Sequence, residues 1–258
     1  MMGFVKKVVL ALGVPLVLVA AWWTVTSGST SFFWPPLRDI LGTMRETWFP
    51  DRLTQDVVPS LLRLGTGYLL AVVLGVGLGV AIGLNRSLRA FLEPVLEFFR
   101  SIPPPVLVPI LILFAGIGNG MKVLVIVSGC IWPVLLNTVE GVRGLDEVLR
   151  DTSEVYRLRP LGRLRHLVLR GASPQIFAGA RQALSIGIIL MVISEMFAAS
   201  NGIGFTIVQF QRTFAIPQMW SGIILLGLIG VLLAFIFRFV EGRALRWYIG
   251  LRAAQRGE

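Results

Sequence analysis

From Leu64 to Asn85 the chain runs for 22 residues without a charge. A helix needs about 20 consecutive apolar residues to cross the hydrocarbon of a bilayer, so this run alone places the chain in a membrane. Others follow. Ser101 to Met121 is uncharged for 21 residues, Val123 to Val139 comes straight after Lys122, and Thr213 to Phe237 carries no charge. An apolar stretch begins near Val8, and another near Ser173 that contains Arg181 and Glu195. The expected spans are 8–27, 64–85, 101–121, 123–141, 173–199 and 213–240, the third interrupted by Pro103-Pro104-Pro105. With 55% hydrophobic and 15% charged residues and a mean hydropathy of +0.78, no soluble module has room for its own core. The reading is one all-α polytopic membrane domain over residues 1–258, with about six transmembrane helices.

The charges orient it. The net charge is +10 and the isoelectric point about 11.1. Lys6, Lys7, Arg86, Arg89, the arginines of loop 142–172, Arg238, Arg243, Arg246, Arg252 and Arg256 fall on one side of the expected spans. The other side holds Lys122, Arg212 and a first loop in which Arg38, Arg45 and Arg52 are balanced by Asp39, Glu46, Asp51 and Asp56. Basic residues accumulate in cytoplasmic loops, so both termini and the long loop are expected in the cytoplasm of a bacterial inner membrane. These charges are not gathered on a soluble face, which excludes nucleic-acid binding. Cys130 and His166 are the only residues of their kinds, so neither an internal disulfide nor a Cys/His metal site can be built. Trp22-Trp23 fits an interfacial anchor, and the N-terminal stretch reads as a retained span rather than a signal peptide. In the first outer loop Leu37, Ile40, Leu41, Met44 and Trp48 recur at helical spacing, as in a helix lying in the membrane interface.

Three features inside the spans bear on mechanism. Gly75, Gly79 and Gly83 are four residues apart, which lets two helix backbones approach closely, either within one subunit or at a moving interface. Pro103-Pro104-Pro105 removes three backbone donors, and irregular backbone at membrane depth is tolerated only inside protein or along a cavity. Glu195 is an acid in an apolar run, open to a structural role or to transport chemistry, whereas Arg181 can reach the membrane surface along its own stem. From position alone, Pro103, Pro104, Pro105, Met191, Ser194 and Glu195 are the candidates for a translocation pathway.

The 28 residues from Arg143 to Arg170 hold seven arginines and four acids. Leu145, Val148, Leu149, Val155 and Tyr156 fall mainly on one face of a short helix, opposite Glu147, Arg150, Asp151 and Glu154. Pro160 fits the first turn of a second short helix, where its missing N–H costs nothing. Leu161, Leu164, Leu167 and Val168 continue the apolar stripe, with Arg163 and Arg165 away from it. A loop lying flat on anionic lipid would carry few acids, so this composition favours a protein partner.

The run from Asp146 to Pro174 resembles the cytoplasmic "EAA" loop of binding-protein-dependent ABC import permeases, and of their nitrate/sulfonate/taurine group in particular. Ser60-Leu-Leu-Arg-Leu-Gly65, Arg100-Ser-Ile-Pro-Pro, Phe114-Ala-Gly-Ile-Gly118 and Ser194-Glu-Met with Asn201-Gly-Ile-Gly204 are similar to that group too, and the likeness covers residues 30–248. Asp151-Thr152-Ser153 stand where Glu-Ala-Ala is usual, Arg157 where a turn glycine is usual and Arg170 where a proline is usual, while Pro174 keeps the next proline. If position 157 needs a left-handed backbone, arginine there costs about 1 kcal/mol; the expectation is that Arg159-Pro160 sets the turn instead.

The resemblance implies a type I ABC importer permease fold and a subunit that moves a small solute, such as nitrate, a sulfonate or taurine. It implies a second permease copy, an ABC ATPase dimer and an extracytoplasmic solute-binding protein as partners. The loop would then be a coupling element in a groove of the ATPase, with Asp151, Thr152, Ser153, Glu154, Tyr156, Arg157, Arg159, Pro160, Gly162, Arg163 and Arg165 at the contact. The chain has no Gly-x-x-x-x-Gly-Lys-Ser/Thr phosphate loop, so ATP and Mg are expected on the partner and no cofactor, metal or catalytic residue here. The rival reading is a secondary transporter driven by an ion gradient, which would show internal repeats and several intramembrane ionisable groups. An intramembrane enzyme lacks a catalytic set.

Overall fold

The computed structural model describes residues 2–248, 250 and 251, and of residues 2–12 and 198 the backbone alone. The side chains of Lys6, Lys7, Arg252 and Arg256, used above for orientation, lie outside the described residues. Helices α1 (Met2–Thr26) and α2 (Leu37–Trp48) precede α3 (Val58–Leu84), which a π-helical turn at Leu53–Val57 lengthens at its start. Then come α4 (Arg86–Arg100), a 3₁₀ turn at Pro104–Leu107, α5 (Val108–Ala115) and α6 (Asn119–Arg143). The loop region supplies α7 (Glu147–Val155) and α8 (Pro160–Arg163); a π-helical turn at Leu164–Val168 joins α8 to α9 (Leu169–Ala198). Helices α10 (Ile203–Arg212) and α11 (Ile216–Ala244) follow.

Among the described residues four helices are long and apolar enough to cross a membrane: Leu53–Leu84, Asn119–Arg143, Pro160–Phe197 and Ile216–Ala244. The stretch 101–121, expected as one span, is not one helix. Its prolines interrupt the backbone ladder and Gly116, with φ 68°, ends α5, so the α4 and α5 segments meet at 81°. Pro104 packs at Gly129, midway along α6, so this break lies at the depth of the core.

Helix α6 lies between α3 and α9, and Leu64, Ala71, Val125, Ile126, Cys130, Val134, Ala183 and Met191 are buried among the three. Glycine sets the spacing. A methyl group at Gly75, Gly79 or Gly83 would fall within 3 Å of Val134, Thr138 or Val142, all on α6. The four-residue glycine pattern is therefore packing inside the subunit. On the far side of α6, Gly179 of α9 sits against the Pro133 carbonyl. Cys130 donates its S–H to the Ala183 carbonyl at 3.2 Å, as a small buried packing residue.

The amphipathic helix α2 does not lay its apolar face in the membrane interface. Leu37, Ile40 and Trp48 are buried, and the Trp48 indole donates to Ser221 Oγ of α11 at 3.0 Å. Its ring meets Phe210 of α10 edge-on and covers Gly222. The stripe at helical spacing was a protein-facing one, because the first half of α11 supplies a complementary surface.

Overfilling a close-packed core costs about 1–3 kcal/mol. Gly79→Val is therefore expected to lower the melting temperature of the detergent-solubilised protein, whereas Gly77→Ala, which meets nothing within 4 Å, leaves it unchanged. Equal melting of the two variants would contradict the assignment of the stripe to the α3–α6 contact.

Candidate functional site

Two constellations stand out, at opposite ends of the helical bundle. At the basic end, the Asp146 carboxylate accepts the Val148 N–H at 2.8 Å and starts α7, with Glu147 in the first turn. Both acids suit the positive end of the helix dipole. The helix ends in a double closure. The N–H of Leu158 reaches the Ser153 carbonyl at 3.1 Å and that of Arg157 the Glu154 carbonyl at 2.9 Å. Such a closure places its penultimate residue in the left-handed region, and Arg157 has φ 49°. The turn is thus made at Arg157, where the resemblance put a glycine, and Arg159-Pro160 only redirects the chain. This corrects the expectation. Arg159 is extended, the conformation favoured before proline, and Pro160 opens a helix.

That helix is not a separate short one. From Pro160 it continues through the π-helical turn into α9, so the loop expected to end at residue 172 is already part of a rod reaching Phe197. Residues 161–173 contain no proline, and nothing there stops the hydrogen-bond ladder. Glu154 of α7 pairs with Arg163 of α8 at 3.0 Å and braces the turn. Leu145 is buried beside Val142, Val168 and Ala172. Leu164 packs against the same cluster and Leu167 is half-buried, whereas Val155, Tyr156 and Leu161 are at least 75% exposed, with Val148 and Leu149 also open. Asp151, Thr152, Glu154, Arg157, Arg159, Pro160 and Arg165 are exposed around them; Gly162 and Arg163 are half-buried, and Ser153 is buried, donating to the Arg150 carbonyl. Apolar patches rimmed by charges are the hallmark of interaction surfaces.

At the opposite end Glu195 is fully buried, and nothing about it is unpaired. Its Oε1 accepts from Arg63 Nη1 and from Ser60 Oγ, each at 2.7 Å, and its Oε2 accepts the Gly204 N–H at 3.0 Å. Arg63 spends its remaining donors on Asn119 Oδ1 of α6 and on the carbonyl and side chain of Asn201. Asp56 accepts the Gly202 N–H at 2.9 Å and pairs with Arg52 at 3.2 Å. Gly202, with φ 123°, wraps the turn so closely over Glu195 that a Cβ would lie 2.5 Å from its carboxyl carbon. The cluster ties α3, α6, α9 and the α9–α10 turn together, which is the structural alternative for Glu195.

Arg63, Asp56, Ser60, Asn119 and Asn201 escaped assignment from sequence. Arg63 directly precedes an uncharged run and reads as its flank; only its turn of helix, facing Glu195, makes it a buried partner. Lys122, one turn along α6 from Asn119, is buried as well. Of the pathway candidates, Met191, Ser194 and Glu195 are fully buried in the subunit, with Ser194 Oγ donating to the Met191 carbonyl. Pro103 is exposed and Pro104 and Pro105 half-buried at the α4–α5 bend, where Pro104 and Leu190 both close on Gly129. Arg181 does more than reach the surface: it pairs with Glu241 of α11.

Residues 71–246 match the family described as binding-protein-dependent transport system inner membrane component. The chain belongs to that family. This permease is 28% identical to the taurine transport system permease protein of Escherichia coli K12 over 250 residues, covering 94% of this chain and 91% of that one. It is 27% identical to a putative aliphatic sulfonates transport permease protein of Bacillus subtilis 168, over 95% of this chain and 88% of that one. A chain of the MetNI methionine ABC transporter, in an inward-facing conformation, superposes with a TM-score of 0.60 at 20% identity, over 74% of this permease and 93% of that chain. The fold is that of a type I ABC importer permease, and the protein is a multi-pass inner-membrane transport subunit, not an enzyme. Its work is ATP-driven, with ATPase and binding protein as separate partners, which removes the ion-gradient alternative.

Removing one member of a buried ion pair costs about 3–5 kcal/mol, because the other charge is left unpaired, while removing both costs less. Arg63→Met is expected to lower the melting temperature more than the double variant Arg63→Met/Glu195→Gln. A double variant as unstable as the single one would show that the two charges are not coupled.

Proposed function

We propose that this permease works as a homodimer with both termini and the 142–172 loop in the cytoplasm, where the exposed face of α7 docks into an ABC ATPase subunit. The excess of basic residues at the loop end supports that orientation. The observation that carries the docking is the patch of Val148, Val155, Tyr156 and Leu161, exposed on a turn that Glu154–Arg163 and the Arg157 closure hold rigid. ATP and Mg belong to the partner; here α8 and α9 form one helix, so displacement of the docked turn moves the whole rod. Asp151, Thr152, Arg157, Arg159 and Arg165 surround the apolar contact as its charged and polar rim.

The solute is a small molecule bearing a sulfonate or comparable oxyanion group, delivered by an extracytoplasmic binding protein. The similarity to permeases named for taurine, aliphatic sulfonates and bicarbonate supports this class. The docking is tested in the reconstituted transporter. Val155→Asp or Tyr156→Ser buries a charge or removes an aromatic anchor at the contact, and a docking residue of this kind is worth about 1.4 kcal/mol or more. Each is expected to reduce ATPase stimulation by sulfonate-loaded binding protein about tenfold, with membrane insertion and melting temperature unchanged. Wild-type stimulation in both variants would overturn the assignment.

A further inference from the structure

Helix α11 is buried only in its first half, at Ile216, Ser221, Gly222, Leu225 and Ile229. Beyond that it touches α9 at Phe177–Phe237 and Arg181–Glu241, and an open cleft lies along the membrane-facing side of these contacts toward the basic end. Along α9 the positions 170, 173, 177 and 184 lie on one face, and along α11 so do 233, 237, 240 and 244, with Trp247 just past the helix. Its apolar part is an open groove of about 460 Å³ between α3 and α11, walled by Leu64, Tyr68, Leu233, Phe237 and Val240 with Leu184 of α9 at its edge. The mouth is a recess of about 540 Å³ lined by Arg165, His166, Arg170, Ser173, Phe177 and Trp247. Phe177 of the mouth and Phe237 of the groove are 6.1 Å apart between ring centroids, so the two parts share a wall.

The charge at the mouth is one-sided. None of its lining residues is acidic, and among the described residues neither Arg165 nor Arg170 forms an ion pair. The acid on the facing stretch of α11, Glu241, is already neutralised by Arg181. Arg170 stacks its guanidinium over Trp247 at 5.4 Å, leaving its N–H edge free of any carboxylate. Tryptophan at this level is the residue that settles among headgroups. A basic mouth over an oily groove is complementary to one kind of molecule, an anion with a hydrocarbon tail.

We propose that this cleft holds one anionic phospholipid of the cytoplasmic leaflet, its phosphate among Arg165, His166 and Arg170 and one acyl chain in the groove toward Tyr68. The assignment of leaflet rests on the orientation proposed above; the binding itself does not need the ATPase. Basic pockets between helices on the cytoplasmic side are the usual seats of such headgroups. The site has a mechanical consequence, because Arg165 and Arg170 belong to the rod that carries the docking turn. A bound headgroup links that rod to α11, so anionic lipid regulates how far the turn can swing.

The test uses the full-length permease in phosphatidylcholine nanodiscs titrated with brominated phosphatidylglycerol or brominated phosphatidylcholine. The emission lost between wild type and Trp247→Phe isolates Trp247. Its quenching is expected at about fivefold lower mole fraction of the anionic lipid, a preference of about 1 kcal/mol. His166→Gln/Arg170→Gln is expected to abolish the preference, whereas Arg86→Gln/Arg89→Gln, at the same end but outside the cleft, retains it. Native mass spectrometry gives a second reading, one phosphatidylglycerol retained on wild type and none on the cleft variant. Equal quenching by both lipids, a preference that survives the cleft variant, or one lost equally in the Arg86/Arg89 control would overturn the site. Full competition by millimolar inorganic phosphate would assign the mouth to a free anion and overturn the lipid. None of these results touches ATPase docking, which the Val155 and Tyr156 variants test separately.

Discussion

A helix that keeps its course from Pro160 to Phe197, through the π-helical turn at Leu164–Val168 and past Pro174, is the constraint on which the rest of this permease depends. At about 1.5 Å per residue the rod is about 57 Å long, enough to cross the membrane with length to spare. One end carries the docking turn, and near the other Glu195 is buried against Arg63. Under the docking proposed above, a push on the turn would arrive at a place where α3, α6 and the α9–α10 turn are all joined by hydrogen bonds. A flexible loop between the docking surface and the span would dissipate that push.

The two ends are built by different physics. Near Glu195, a buried charge is tolerable only because every lone pair that matters has a donor, and the fit leaves Gly202 no room for a side chain. At the docking turn nothing is buried beyond Leu145 and Ser153, and rigidity comes from local backbone closure, with an arginine held at a positive φ that glycine adopts more easily. The strain at Arg157 persists because the two closing hydrogen bonds and the Glu154–Arg163 pair over-determine the turn.

Much of the fold was legible in the sequence, for identifiable reasons. Uncharged runs located α3, α6 and α11, and the three prolines announced the break that separates α4 from α5. The helix over Glu147–Val155 was legible because acids and arginines alternate with apolar residues at helical spacing. Its fine structure was not. Sequence periodicity cannot distinguish an apolar stripe that packs inward from one left open, and the stripes of α2 and α7 look alike although α2 packs on α11 and α7 is exposed. Nor can it tell a helix that stops near a proline from one that continues past it, as the helix opened by Pro160 does through Pro174. Arg63 stayed hidden because its significance lies in a contact 132 residues away along the chain.

The account stands on the rod moving as one body. Spin labels at positions 165 and 196, both exposed, in a Cys130→Ala background and carried by one protomer of a dimer otherwise free of labels would report its length by pulsed electron resonance in the assembled transporter. A separation of 31 positions corresponds to about 47 Å of helix. The expected result is one distance, the same in nucleotide-free and ATP-trapped complexes, while the distance from position 165 to position 86 changes. A 165–196 distance that shortens or splits into two populations on trapping would mean that the helix bends between the docking turn and Glu195, and would contradict the account.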